Sequence, residues 1–366
     1  MNYKIKTTAS RPAWLLPTPA RRDEPSADPS LRALLLRLMR GENLQRGEAG
    51  QLLGALLDGK ATDAQIAAAL VALAVKGETV EELAGMAAAM RERSTRITSR
   101  HKIFIDTAGS GSSAVKTFNV STAAAFVIAG AGLPVAKHGS RAATSRSGSA
   151  DVLAKLGVKV DAPADVSENS LDELGICFMF APLYHGATAR VAGVRRELGV
   201  HTTFNLLGPL TNPAGAPRQI IGVWHPGLVE PLAHTLSALG TERAWVVHGC
   251  DGLDEITLNG RTFVAETFEG QVRRFEINPE DFGLKSATLE NVRDNDANNS
   301  AAIITSIFSG ARRDEARDLV VINAAAALVV GGATQNLKAA TRLAEQSIDS
   351  GGAQLKLDQL IKNTNK

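Results

Sequence analysis

The sequence predicts an α/β protein in two lobes: a small N-terminal all-helical domain and a larger α/β domain whose mostly parallel central sheet is flanked by helices. Three observations carry this. Apolar residues recur at helical spacing between about 30 and 95, with two capping boxes among them. From Lys102 onward short apolar runs alternate with helical segments, the pattern of a parallel sheet covered on both faces. Further on, TFVAETFEG and QVRRFEI, 262–270 and 271–277, read as an antiparallel hairpin.

Taken in order, residues 1–29 carry several prolines, scattered charges and no sustained apolar period, so they read as an extension. Leu31, Leu34, Leu35 and Leu38 then open a helix, and the capping boxes Thr62/Gln65 and Thr79/Glu82 open two more, giving four helices by about 95. The strand candidates are IFID at 103–106, LPVA at 133–136, ICFMF at 176–180, IIGVW at 220–224 and AWVV at 244–247. Alanine-rich segments at 297–308 and 314–349 read as packed helices.

Composition narrows the function classes. The 366 residues are 44% hydrophobic, enough for one large core or two smaller ones. Forty basic and 38 acidic side chains leave a net charge of +2, so no global field points to nucleic acid or an anionic membrane, and any anion site is local. Apolar stretches such as 122–136 contain glycines and fall short of the roughly 20 residues a spanning helix needs. With two cysteines, Cys177 and Cys250, and no secretory pattern, the chain is expected in the cytoplasm without disulfides.

Chemistry is expected at the carboxyl ends of the strands. In DTAGSGSSAVKTFNVST, 106–122, a strand runs into a glycine- and serine-rich loop and then a helix near Ser121, where free N–H groups favour phosphate. Such a loop serves either as a phosphate cradle or as a packing turn, and Ser121 as ligand, N-cap or both. In KHGSRAATSRSGSAD, 137–151, Lys137, Arg141 and Arg146 supply cations, and Ser145, Ser147, Gly148 and Ser149 a donor-rich turn. Two anion-cradling loops after neighbouring strands suit a substrate with two separated phosphate groups.

Together with FNLLGPLTNPAG at 204–215 and HGCDGLDEIT at 248–257, these loops resemble the anthranilate phosphoribosyltransferases, and the resemblance runs from about Leu31 to Leu360. The helical segment 59–85 is also similar to the pyrimidine nucleoside phosphorylases, but the GSAD ending of the second loop belongs to the anthranilate enzymes. The resemblance implies transfer of the 5-phosphoribosyl group from phosphoribosyl pyrophosphate (PRPP) to the amine of anthranilate, in tryptophan biosynthesis. It implies that Gly109, Ser110, Gly111, Ser112, Ser113, Thr117, Asn119, Ser121, Thr122, Lys137 and Ser149 hold the donor, and that Ser121, Asp254 and Glu255 bind magnesium, two ions per subunit. Adjacent carboxylates suit a hard cation already partly ligated by phosphate oxygens.

Anthranilate, by the same resemblance, meets Gly109, His138, Ser140, His185, Arg195 and Pro209. Arg195 is assigned the carboxylate, because a guanidinium binds it bidentately and keeps its charge in a cleft. No residue is assigned as general acid or base, since an aryl amine is already neutral at pH 7. The helical domain is expected to comprise 30–100 with about 186–206, the α/β domain 101–185 and 207–366, and the enzyme to be a homodimer through the helical domain, with no nucleic-acid or membrane partner.

The sequence departs from the family pattern in three places. The first loop reads Gly109-Ser110-Gly111-Ser112-Ser113 where the family usually has G-T-G-G-D, Ser140 stands where it has asparagine, and Gly186-Ala187-Thr188 replaces a proline-containing run after His185. Ser140 leaves open a different aromatic acceptor. The basic stretch 91–102, RERSTRITSRHK, leaves open a nucleic-acid-binding relative, although its expected role is to link the lobes.

Overall fold

A computed structural model of the chain describes residues 29–111, 115–142, 147–292 and 296–366. Ser112 and Ser113 of the first loop, Ser145 and Arg146 of the second, and the segment before Pro29 lie outside the described residues.

The N-terminal lobe starts with helices α1 (Pro29–Met39), α2 (Arg46–Leu57), α3 (Asp63–Lys76) and α4 (Val80–Glu92). Both capping boxes form: Thr62 and Thr79 accept from Gln65 N and Glu82 N, and those side chains reach back to the threonine backbone. Glu82 has a second task. Fully buried, it accepts from Leu44 N at 2.9 Å and from Lys76 Nζ at 2.7 Å, so its charge is paired where an isolated one would be costly. Two later helices, α9 (Ala189–Leu198) and α10 (Thr203–Leu210), pack against α2, α3 and α4.

The second lobe is built on a seven-stranded sheet among the described residues. Strands β1 (Ile105–Gly109), β2 (Val135–Gly139), β3 (Ile176–Phe180), β4 (Arg218–Gly222) and β5 (Arg243–Gly249) run parallel, and the hairpin β6 (Thr262–Phe268) and β7 (Gln271–Ile277) is antiparallel. The order is β3-β2-β1-β4-β5-β6-β7. Alternation along the strands feeds two cores. Ile220, Trp245, Val247 and Val264 face α5 (Val120–Gly130) and the C-terminal helices, whereas Ile221, Ala244, Val246 and Ala265 face α11 (Val229–Ala238) and the helical lobe. The fold class is therefore as expected from the sequence.

Boundaries differ instructively. The first two strands begin two residues after the starts of the apolar runs and end three residues beyond them, because the ladder continues through the polar residues Thr107, Lys137 and His138, the last two lining the cleft. Ile103, at the start of its run, is exposed. The segment 314–349 is two helices, α13 (Glu315–Val330) and α14 (Leu337–Asp349), broken at Gly331-Gly332, and a further helix, α15 (Gly352–Thr364), packs on α5 and α7 (Ala164–Leu174).

The chain's connections run outward in opposite directions from β1, toward β2 on one side and β4 on the other. That reversal opens a crevice at the carboxyl ends of these strands, the place where doubly wound sheets take ligands.

Candidate active site

A cleft of about 440 Å³ occupies this crevice, walled on one side by the ends of β1 and β2 with their loops and on the other by Met90 of α4, Arg195 of α9 and Phe204 of α10. It therefore lies between the lobes. Every described residue singled out from the sequence lines it: Gly109, Ser110, Gly111, Thr117, Asn119, Ser121, Thr122, Lys137, His138, Ser140, Ser149, His185, Arg195, Pro209, Asp254 and Glu255. These come from six separate segments, which the sheet topology alone brings together.

The first loop is anchored from across the sheet. Gly111 takes φ of 68°, a conformation cheap only for glycine, and its N–H donates to Asp254 Oδ2 at 3.0 Å. Ser110 N donates to Gly222 O at 2.9 Å. At the start of α5, Ser121 N donates to Glu255 Oε1 at 3.1 Å, and Asn119 turns its side chain away from its own helix to accept from Ser147 Oγ at 2.9 Å, joining the two loops. Thr122 Oγ1 is shielded and has no hydrogen-bond partner among the described residues.

The second loop is held by a residue the sequence reading passed over. Asp151 accepts from Ala142 N at 2.9 Å, Gly148 N at 3.0 Å and Arg141 Nη1 at 3.1 Å, pinning both ends of the turn. Burial alone would raise its pKa, but these donors hold it below the usual carboxylate range.

Below the cleft floor, Asp106 is completely buried and accepts from His138 N at 3.2 Å and Asn212 Nδ2 at 2.7 Å. Burial pushes it up to about 6 despite the neighbouring Lys137. Lys137 donates to Thr107 O at 2.6 Å and lies 3.4 Å from Ser121 Oγ; burial pulls it down to about 8, against the attraction of Asp106 and Glu255. A poorly hydrated lysine aimed along a strand end strengthens its interaction with any anion that arrives. Glu255 rises well above the ordinary carboxylate range, first through burial and then through the charge of Asp254, and its Oε2 has no hydrogen-bond partner among the described residues.

At the far end, the rings of His138 and His185 lie 5.1 Å apart. Burial lowers them to about 3 and about 4, against weak support from the backbone of Gly208 and Thr211 respectively, so both are neutral imidazoles at pH 7. The turn after His185 is closed by Thr188, which donates from Oγ1 to His185 O at 2.7 Å. Arg195 donates through Nε to Thr202 Oγ1 at 3.2 Å and lies 5.1 Å from the Phe204 ring centre, leaving its terminal nitrogens for a ligand, whereas Arg196 is exposed. Cleft residues the sequence reading missed include Lys116, whose Nζ donates to Gly111 O at 2.9 Å. A lysine inside an already selected loop was the available signal.

The basic stretch 91–102 is engaged within the molecule. Arg91 donates to Leu210 O, Arg93 forms a two-point pair with Asp58, and Arg100 bonds to Glu173. Thr95 N and Ile97 N donate to Tyr184 O and Pro213 O, so the segment straps the lobes together.

Comparison with known proteins adds the chemistry. The model described as "Glycosyl transferase family, helical bundle domain" matches residues 32–94, and "Glycosyl transferase family, a/b domain" matches 101–354. The anthranilate phosphoribosyltransferase of Moorella thermoacetica is 49% identical over 90% of this chain and 97% of its own length. That of Anaeromyxobacter dehalogenans is 51% identical over 90% of this chain and 97% of its own. Among solved structures, the Thermus thermophilus enzyme superposes with a TM-score of 0.86 at 39% identity, covering 91% of this chain and 99% of that one. The Saccharomyces cerevisiae enzyme in complex with PRPP and Mg gives 0.81 at 26% identity, covering 92% and 98%.

Proposed function

This chain belongs to the anthranilate phosphoribosyltransferase family, and from that premise we propose how its cleft divides the work between donor and acceptor. The reaction moves the 5-phosphoribosyl group of PRPP onto the amine of anthranilate and releases pyrophosphate. The observation that carries the assignment of sites is the convergence, at one strand-end crevice, of two phosphate-suited loops, an acidic pair and a half-buried arginine.

The donor lies against Gly109, Ser110, Gly111, Thr117, Asn119, Ser121, Thr122, Lys137 and Ser149, where backbone N–H groups, hydroxyls and one desolvated cation match phosphate oxygens. Ser112 and Ser113 complete this set by position in the sequence. Magnesium fits Asp254 and Glu255: two adjacent carboxylates, one with an unpartnered shielded oxygen, are a site that a divalent cation stabilises. Ser121 would join the pair in holding the ion, which would supply charge stabilisation for the departing pyrophosphate. The proposal includes two such ions per subunit.

Acceptor binding falls to the other end. Arg195 takes the carboxylate of anthranilate, and the neutral imidazoles of His138 and His185, with Ser140, Pro209 and Gly109, frame the ring and amine. Because the aryl amine attacks unprotonated, these residues orient it rather than deprotonate it. Approach of the helical lobe shields the cleft from water that would hydrolyse the donor.

The chain acts as a cytoplasmic homodimer in this reading. Its two cysteines are unpaired thiols, no described helix is long and apolar enough to cross a membrane, and exposed Val71 and Val75 on α3 with Met39 on α1 give the helical lobe an apolar face for a second copy.

Ser140→Asn tests the acceptor assignment. An amide offers two donors and an acceptor where serine has one hydroxyl, and one neutral hydrogen bond is worth about 0.5–1.5 kcal/mol, roughly two- to tenfold in affinity. The expected result is a lower anthranilate KM with the PRPP KM unchanged. Loss of anthranilate turnover, with a bulkier aromatic amine preferred by the native protein, would move the assignment to another acceptor.

A further inference from the structure

Behind the acidic pair the structure shows how its direction is fixed. Asn323 of α13 is a buried carboxamide 67 residues along the chain from Ile256, and its Oδ1 accepts from Ile256 N at 3.0 Å while its Nδ2 donates to Ile256 O at 2.9 Å. A second bond from Nδ2 to Leu319 O, 2.9 Å, ties the amide to its own helix. Holding both polar groups of Ile256 orients the peptide planes on either side of it, and the first of these is the link to Glu255. Ile256 is itself buried, so without the amide two backbone groups would lose their partners in a dry environment.

The neighbouring residue is seated in a complementary way. A Cβ added to Gly222, the last residue of β4, would fall 1.5 Å from Asp254 O, so only a glycine lets the loop lie on the strand end. A void of about 20 Å³, lined by Thr107, Ser121, Gly222, Asn323 and the acidic pair, separates the clamp from the cleft. Asn323 and Gly222 both lie outside the 248–257 motif that carries the acidic pair.

We propose that Asn323 is a positioning residue that sets the metal affinity of the Asp254–Glu255 pair by clamping Ile256 to α13, with Gly222 as the seat beneath Asp254. The inference rests on the metal reading of that pair. It predicts a defect at the metal and at the loop bonds the pair makes to Gly111 N and Ser121 N, with the acceptor end spared: the amide itself bonds only to Ile256 and Leu319, so removing it frees the carboxylates without touching His138, His185 or Arg195.

The test is direct titration of Mn²⁺ into the full-length protein with inorganic pyrophosphate present and no acceptor, followed by the loss of the free-ion resonance. Asn323→Ala is expected to weaken Mn²⁺ about tenfold, the effect of one or two neutral hydrogen bonds. Asn323→Ser, which retains one hydrogen-bonding group, should fall between it and the native protein, and Gly222→Ala should weaken Mn²⁺ at least as much. The half-saturating Mg²⁺ in turnover should rise in step, with the anthranilate KM at saturating Mg²⁺ within about twofold of native. If Glu255→Gln weakens Mn²⁺ but the Asn323 variants bind as the native protein does, the clamp is refuted. If Glu255→Gln also binds as native, the metal assignment falls and the clamp with it. Should Asn323→Ala not fold, the serine and Gly222 variants decide by the same criterion.

Discussion

Glu255→Gln lowers turnover at limiting Mg²⁺ by at least about tenfold, the scale of one lost charge-assisted ligand, and excess Mg²⁺ recovers part of it. The glutamine keeps an oxygen that can accept from Ser121 N, the bond that the carboxylate makes at 3.1 Å, so the start of α5 stays in place. What it lacks is charge. Glu255 sits partly buried at the cleft wall beside Asp254, and burial and that neighbouring charge hold its pKa well above the ordinary range. Such a group is a burden on the empty protein, so the substitution should leave the melting temperature unchanged or higher while the Mg²⁺ requirement grows. A fall in stability matching the fall in activity would assign Glu255 to the fold instead. Asp254→Asn should show the same Mg²⁺ dependence with a larger structural cost, because Asp254 also accepts from Gly111 N.

Arg195→Ala raises the anthranilate KM roughly 10- to 100-fold, the loss of about 1.5–3 kcal/mol expected for a hydrogen-bonded charged group, with the PRPP KM within about twofold of native. The guanidinium is fixed by Thr202 and Phe204 rather than by an acidic partner, and burial already lowers its pKa, so it is short of a counter-charge that a carboxylate supplies. Arg195→Lys should recover little, since an ammonium does not make the two parallel bonds of a guanidinium. Steady-state kinetics in each substrate separate the cases, and an equal rise in both KM values would make Arg195 a residue of lobe closure.

How legible this site is from sequence depends on where each interaction begins and ends. Thr62/Gln65 and Thr79/Glu82 are local devices with fixed spacing, and both appear as read. The glycine loop at 109–111 is legible as a contiguous strand–loop–helix motif, whereas the pair Asp254-Glu255 stands out only through the family resemblance, since two adjacent acids are ordinarily a surface pair. The strand ends are misplaced because the polar residues Thr107, Lys137 and His138 continue the ladder, so polarity there does not mark the end of a strand; Lys137 and His138 line the cleft. Asp106 and Asn323 escape for a different reason: each acts on a partner brought close only by tertiary structure, as when Asp106 meets Asn212 across 106 residues, whereas Asp151 bonds within its own loop, three residues back to Gly148 N, and was open to a local reading. Asn323 did leave a trace, as the lone polar residue in the buried run Leu319–Val330, where an amide is unfavourable unless both its ends are bonded.

The most direct measurement of the central claim is anthranilate fluorescence followed in the presence of PRPP and Mg²⁺, with released pyrophosphate counted in the same samples. The account predicts that fluorescence decays only when protein, PRPP and Mg²⁺ are all present, and that each anthranilate consumed releases one pyrophosphate. Undiminished fluorescence with intact PRPP, or pyrophosphate released while anthranilate persists, would contradict it.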